Sequence, residues 1–294
     1  MPFVSFAQHA EDVILQRAFR GQQTGFYIDV GANDPTYASV TRSFYERGWH
    51  GINVEPARTP FTRLRAARPR DINLSIGLSD RPGSLCFHEC VSESTWSTFS
   101  PHEAAWFQQY RQARYAERHV PVWTLARLCE RYVDGEIDFL SIDVENHERQ
   151  VIAGHDWQRW RPRIVMVEDS SSYESSEAGK PTHLHWEPLL VQAGYLLGLC
   201  DGINRFYVRQ EEKEMLPLLR VPEKGIDYVP FDSLGGLRKK LAVLQEKGTV
   251  LRPVVHVLCA RLRRFSNRHP QLAAATKRAV VTLCSRLHAR APGR

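Results

Sequence analysis

Phe26-Tyr27-Ile28-Asp29-Val30-Gly31-Ala32-Asn33-Asp34-Pro35 decides how this chain folds. A short, largely apolar run runs into a turn of small residues, and Asp34-Pro35 then opens a helical pattern, the sequence form of a buried strand feeding a helix. Gly31 and Ala32 let the backbone come close to a ligand, and the helix start offers unpaired N–H groups. The stretch is not a dinucleotide fingerprint, because G-x-G-x-x-G needs glycines where Asn33 and Thr36 stand. A pyrophosphate would lack its usual cradle, whereas a carboxylate carried on a ribosyl compound fits; a plain strand-to-helix turn is the alternative.

Working outward, the same alternation repeats. Short apolar runs at 51–54, 72–76, 137–142 (IDFLSI), 163–167 (RIVMV), 195–200 and 205–208 are separated by helical patterns at 37–47, 58–68, 124–132 and 184–193. This predicts an α/β fold with a mostly parallel sheet and helices on both faces. The last two runs are joined only by Asp201-Gly202-Ile203-Asn204, a tight turn that links antiparallel neighbours, so the sheet is expected to end in an antiparallel hairpin. A fully parallel NAD-binding sheet would not. Residues 89–120 interrupt the pattern with Ser94, Thr95, Trp96, Ser97 and Thr98 and then a helix-like stretch, 102–118, the expected lid. Residues 1–231 read as one domain. A Pro/Gly-containing linker, 221–232, leads into a helical basic extension, 232–294, with helices near 234–246, 254–264 and 272–290.

The 294 residues are 43% hydrophobic and 24% charged, which excludes a disordered, collagen-like or disulfide-scaffold chain. The net charge of +6 is unevenly placed: residues 232–294 hold 14 Lys plus Arg against Asp232 and Glu246, leaving that segment at +12 and the body at −6. An acidic body suits an uncharged or cationic substrate. Cys86, Cys90, Cys129, Cys200, Cys259 and Cys284 form no C-x-x-C pair, and residues 1–12 lack the order of a signal peptide, so a reduced, cytoplasmic protein is expected. No apolar run approaches the roughly 18–20 residues of a membrane-spanning helix.

Glu55 ends the second run, 24 residues after Gly31, where an acid can accept hydrogen bonds from the hydroxyls of a ribose. The fourth run delivers Asp143, Glu145, His147 and Glu148 at its carboxyl end, and the fifth delivers Glu168 and Asp169 beside it. Ligands and catalytic groups of open α/β sheets gather at this edge. For Glu148 the plainer reading is a helix-start acid favourable to the dipole.

The ordered set SFAQHAEDVIL, GFYIDVGANDP, RGWHGINVEP, the Ser/Thr cluster, VPVWTLARL, IDFLSIDVENHE, HWEPLLVQAGY and DGINRFYV, over residues 3–209, resembles the FkbM family of S-adenosylmethionine-dependent methyltransferases. The resemblance implies the class I methyltransferase (Rossmann-like) fold and an O-methyltransferase acting on a sugar or polyketide hydroxyl. Carried over, Asp29, Gly31 and Asn33 line the methionine part of the cofactor, Glu55 takes the ribose, and Ser79 or Asp80 lies near the adenine. Asn146 departs from the family pattern, which has glycine there. It requires either a tighter turn or a left-handed Asn.

A sugar hydroxyl is a weak acid, so methyl transfer to it benefits from a general base or a divalent ion. Asp143, His147 and Glu145 are the catalytic candidates. Alternatively Asp143, Glu168 and Asp169 form an oxygen-rich site suited to Mg²⁺. His185, Trp186, Asp201, Asn204, Arg205, Ser94 and Thr95 are the substrate candidates. His183-x-His185 lacks a third zinc ligand at suitable spacing. Trp96, Trp106, Phe107 and Trp186 either stack on sugar faces or belong to core and lid. Gln8, Glu11 and Asp12 either close over the site or cap a helix.

In the extension, Val280, Leu283, Cys284 and Leu287 share one helical face while Lys277, Arg278, Arg286 and Arg290 supply charge. That layout suits peripheral contact with an anionic membrane carrying a glycolipid acceptor, or docking and homo-oligomerisation through the apolar stripe. A glycan-binding scaffold without catalysis would make Asp29, Glu55 and Asp143 dispensable. No RNA-recognition motif is present, so no nucleic acid is expected.

Overall fold

The computed structural model describes residues 3–169, 182–224 and 226–231, all within the first of two compact units, Met1–Asp232. The helices expected in the basic extension, and residues 170–181, lie outside the described residues.

The FYIDV run forms β2 (Phe26–Val30), an interior strand of a seven-stranded sheet. On one side lie β3 (His50–Val54) and β4 (Ile72–Leu74); on the other lie β8 (Phe139–Ile142), β9 (Ile164–Glu168), β11 (Asn204–Arg209) and, at the edge, β10 (Tyr195–Cys200). β2, β3, β4, β8 and β9 are parallel. β11 is antiparallel to both β9 and β10, so the returning strand is inserted one place in from the edge. Two smaller sheets complete the described chain. β5 (Gly77–Leu78), β6 (Gly83–Cys90) and β7 (Tyr115–Trp123) pair in the order β5-β7-β6, and β1 (Phe3–Ser5) pairs in parallel with β12 (Tyr228–Pro230).

Strand alternation sends side chains to two faces, and each face finds its own helices. Ile28, Val30, Ile52, Val54, Leu140, Ile142, Val165 and Val167 pack on α5 (Leu125–Tyr132), α6 (Glu148–Ala153) and α7 (Glu187–Gln192) through Leu125, Leu128, Val151, Ile152 and Leu190. Tyr27, Phe139, Ile164, Met166, Phe206 and Val208 pack on α1 (Glu11–Ala18) and α2 (Arg42–Glu46) through Ile14, Leu15 and Phe44, with Trp49 beside them. Each such fully buried side chain contributes about 1.5–3 kcal/mol. Together they fix the plane of the sheet and therefore the edge where its loops meet. α3 (Arg58–Ala67) follows β3, and α4 (Pro101–Arg111) sits between β6 and β7.

Several element boundaries differ from the sequence expectation for local reasons. The helix expected at 37–47 starts only at Arg42, because the Asp34 carboxylate accepts the N–H groups of Thr36 and Tyr37 and Ala38 turns left-handed at φ 53°. The helix expected at 102–118 stops at Arg111: Gln112 is left-handed at φ 56°, and the chain returns as β7 to pair with β6. The helix expected at 184–193 is split at Trp186, whose ring is drawn into the core, into a 3₁₀ turn (Thr182–His185) and α7. The expected linker at 221–232 contains β12. Among the described residues no helix is long and apolar enough to cross a membrane.

Candidate active site

From β2 the chain steps outward through β3 and β4; through β8 and β9 it runs the other way. The ends of β2 and β8 therefore border the crevice that an open sheet leaves where its strand order reverses. Here the strand ends are locked together: Asp143 N–H donates to Val30 O at 2.9 Å, tying β8 to β2, and Gly31 N–H donates to Val54 O at 2.9 Å, tying β2 to β3. A Cβ on Gly31 would lie 1.7 Å from Asp143 O, and φ is +88°. The fold itself thus requires glycine at this position.

Above the strand ends opens a cleft of about 180 Å³. Its floor holds Asp29, Gly31, Asn33, Glu55, Asp143, Glu145 and Glu168, and its far wall holds Ser94, Thr95, Trp96, Phe99 and Phe107 from the β6–β7 segment. Trp96 and Phe107 stack with centroids 5.2 Å apart. Phe87 and Phe99, 4.8 Å apart, close the end beside Gly77 and Leu78.

Glu55 is buried, and its two carboxylate oxygens accept Asn33 N–H at 2.8 Å and Ala57 N–H at 2.6 Å. Burial outweighs these bonds and pushes its pKa up to about 7. Asn33, at φ 42°, also accepts the Ser94 hydroxyl at 2.9 Å, tying the loop to the opposite wall. Asp29 accepts the Thr41 hydroxyl at 3.0 Å and is pushed up to about 6 by burial.

Of the two alternatives for the loop after β8, the left-handed one is found: Asn146 has φ 70°, and Glu145 before it is left-handed as well, at φ 51°. Two consecutive non-glycine residues in this region are uncommon and strained. They are held by Glu148, whose carboxylate accepts Val144 N–H and Asn146 N–H at 3.2 Å each, and by the Thr98 hydroxyl, which donates to Glu145 O at 2.6 Å. The bend brings one carboxylate oxygen each of Asp143, Glu145 and Glu168 within 4.8 Å of one another. Asp143 is reached by solvent, whereas Glu168 is 7% exposed. Burial raises the carboxyls of Glu145 and Glu168 well above the usual range, reinforced at Glu145 by the charges of Asp143, Glu148 and Glu103 and at Glu168 by those of Asp143, Glu145 and Glu148, and Asp143 at the cleft floor is raised as well.

Other sequence candidates lie elsewhere. Asp169 is not in the acid cluster: it accepts His183 Nδ1 at 2.7 Å and Arg205 Nε at 2.9 Å, in a network continued by Glu187 and Tyr207. Arg205 is accordingly a structural cation. Asn204 donates to Glu11 at 3.0 Å, and Asp201 caps the hairpin turn. Trp186 is 1% exposed in the core, and His185 is exposed but outside the cleft lining. His147 does not line the cleft either; its Nε2 lies 3.3 Å from Ser79 Oγ, and burial lowers its pKa to about 4. Ser79 is buried beside Asp80, just past the lining residue Leu78. Sequence reading missed Phe87 and Phe99, which carry no chemical signature, and Gln8 is the one N-terminal candidate that reaches the lining.

A profile described as the methyltransferase FkbM domain matches residues 29–197. The chain belongs to this family. The matched span opens at Asp29 in β2, and it includes Glu55, the β6–β7 segment and the acid cluster, so the FkbM domain match covers most of the cleft. No curated protein matches the chain.

Proposed function

We propose that this methyltransferase is of class I type, uses S-adenosylmethionine, and methylates a hydroxyl of a sugar in a glycan, polysaccharide or glycolipid. The strand order, with one antiparallel strand inserted next to the edge, supports the class. The observation that carries the cofactor reading is Glu55. Its carboxylate is fixed by two backbone N–H groups at the cleft floor, and a carboxylate has about four lone-pair positions, so two remain for the hydroxyls of a ribose. Val54, Pro56 and Leu78 supply an apolar wall, and the Gly31–Asn33 loop faces the methionine part.

Bound S-adenosylmethionine supplies an electrophilic methyl group on a positively charged sulfur. The chain's own part is to orient the acceptor and take its proton. Asp143 is the solvent-reached member of the acid cluster and lines the cleft, which leaves its carboxylate open to an acceptor hydroxyl. A rim of Ser94, Thr95, Ser97 and Gln8 around the Trp96 ring combines hydroxyl partners with a flat apolar face, the two surfaces a sugar presents. Mg²⁺ is the second cofactor expected at the acids.

Calorimetric titration with S-adenosylhomocysteine tests the reading. The intact chain binds it. Glu55→Ala weakens binding roughly 10- to 100-fold, the worth of hydrogen bonds to a charged group. Asp143→Asn retains binding and loses methyl transfer to a panel of glycan acceptors. Absence of binding to the folded chain would sink the reading.

A further inference from the structure

We propose that the carboxylates of Asp143, Glu145 and Glu168 form a binding site for one hard divalent cation of the Mg²⁺ or Mn²⁺ type. The donor set is all oxygen, the preference of hard cations and not of zinc. One oxygen from each residue lies within 4.8 Å of the other two. Two ligands of one ion stand at most twice the metal–oxygen distance apart, roughly 4.2 Å for Mg²⁺ and about 5 Å for Ca²⁺, so the three side chains need little adjustment to share one.

Two observations beyond the clustering point to a ligand. Glu168 is 7% exposed and lines the cleft, yet its Oε2 has no hydrogen-bond partner. An orphaned buried carboxylate oxygen is expensive, and native structures supply such groups with a partner. The cleft lining also contains no Lys, Arg or His among the described residues, so no side chain there offsets the charge of the acids. The contrast with Asp169 is direct, since its carboxylate faces Arg205 and His183. Two adjacent acids of similar sequence context are therefore treated differently by the fold: Asp169 is given the Arg205 guanidinium and a His183 ring N–H, and Glu168 is given neither.

The site is also built to stay in place. Asp143 and Glu168 stand at the ends of neighbouring parallel strands, and Glu145 is turned inward by a loop pinned through Glu148 and Thr98. Three protein carboxylates leave positions open on a cation that takes six or more oxygens, for water and for an oxygen-bearing acceptor. The catalytic consequence, a Lewis acid beside the acceptor hydroxyl, rests on the methyl-transfer reading; the binding of the ion does not.

Titration of the full chain with Mn²⁺, followed by the loss of the free-ion electron paramagnetic resonance signal, tests the site, with Mg²⁺ and Ca²⁺ as competitors. One ion binds with sub-millimolar affinity. Glu168→Gln and Glu145→Gln each weaken it about tenfold or more, since ligand charge sets affinity over decades. Glu130→Gln, on the exposed face of α5, leaves it unchanged. Asp143→Asn, at a solvent-reached position, serves as the third probe where a buried substitution disturbs the fold. No binding to folded protein, or equal binding by the cluster variants, overturns the proposal. S-adenosylhomocysteine binding by the same samples is read separately: the nucleoside without the ion rejects only this site, and the ion without the nucleoside rejects only the methyl-transfer reading.

Discussion

Glu11 opens α1 almost wholly buried, with its carboxylate accepting His9 N–H at 2.7 Å and Asn204 Nδ2 at 3.0 Å. Burial is the main cause that pushes its pKa from 4.5 up to about 8, with Asp12 and Asp201 adding to it. Between those two values the folded chain holds a proton that the unfolded chain has lost. Stability therefore falls as pH rises through this window, and the full penalty is in place above the folded value. Glu11→Gln removes the titration. It narrows the difference in unfolding free energy between about pH 5 and pH 9 by roughly 2–4 kcal/mol, read from urea melts at the two pH values. An unchanged slope would mean that Glu11 is ionised in the folded protein. At this scale the sequence was informative where the chemistry is local. Gly31 was legible because a turn of small residues after a strand is a local pattern, although its main reason, the Asp143 carbonyl against its Cα, is a contact across 112 positions of sequence. Which acid joins Asp143 and Glu168 was not legible. Asp169 adjoins Glu168 and reads as the natural third ligand, but side chains alternate along a strand, so neighbours at its end point apart. Glu145 reaches the cluster only through a left-handed backbone that its residue type does not advertise.

The β10–β11 hairpin shows what an element needs from its turn. Asp201 Oδ1 accepts Ile203 N–H at 2.9 Å and Asn204 N–H at 2.6 Å, and Gly202 supplies φ +103°. A side chain standing in for turn backbone is why Asp-Gly marks a hairpin in sequence. Asp201→Ala is expected to lower stability by about 1–2 kcal/mol in chemical denaturation, because two buried-edge N–H groups lose their acceptor. Asp201→Asn retains that oxygen and most of the stability. Equal losses for the two would assign the effect to charge. Strands β2, β3, β8, β9, β10 and β11 were legible for a related reason, since buried sheet strands are short apolar runs. The β5–β7–β6 sheet was not. YAERHVPVW in β7 is half exposed, and its charges on the open face mask the alternation that places Val120 and Val122 inside. A helical reading of 102–118 ran through it because Ala, Gln, Glu and Arg are good helix formers, and nothing local announces the left-handed Gln112.

At the scale of the molecule, the parallel pairing of β1 with β12 joins the two ends of the described body. Phe231 N–H donates to Ser5 O at 2.7 Å, and its ring stands 4.7 Å from Phe6 and 5.8 Å from Tyr37. Gln8 and Ala38, within a few residues of those contacts, line the cleft. The segment that carries +12, residues 232–294, follows this end of the body in the chain. A segment of that net charge suits an anionic partner outside the chain. Each Lys or Arg near an anionic leaflet contributes about 1 kcal/mol, so several of the 14 engaged at once would hold the chain to a membrane. The full chain is expected to co-sediment with vesicles containing phosphatidylserine and not with pure phosphatidylcholine vesicles. Binding should fall steeply as salt shortens the Debye length from about 10 Å at 0.1 M to 3 Å at 1 M. Reversing Arg261, Arg263 and Arg264 to Glu should weaken it while leaving S-adenosylhomocysteine binding unchanged. Equal binding to both lipids, or none, would overturn the membrane reading and leave docking or homo-oligomerisation through the stripe of Val280, Leu283, Cys284 and Leu287.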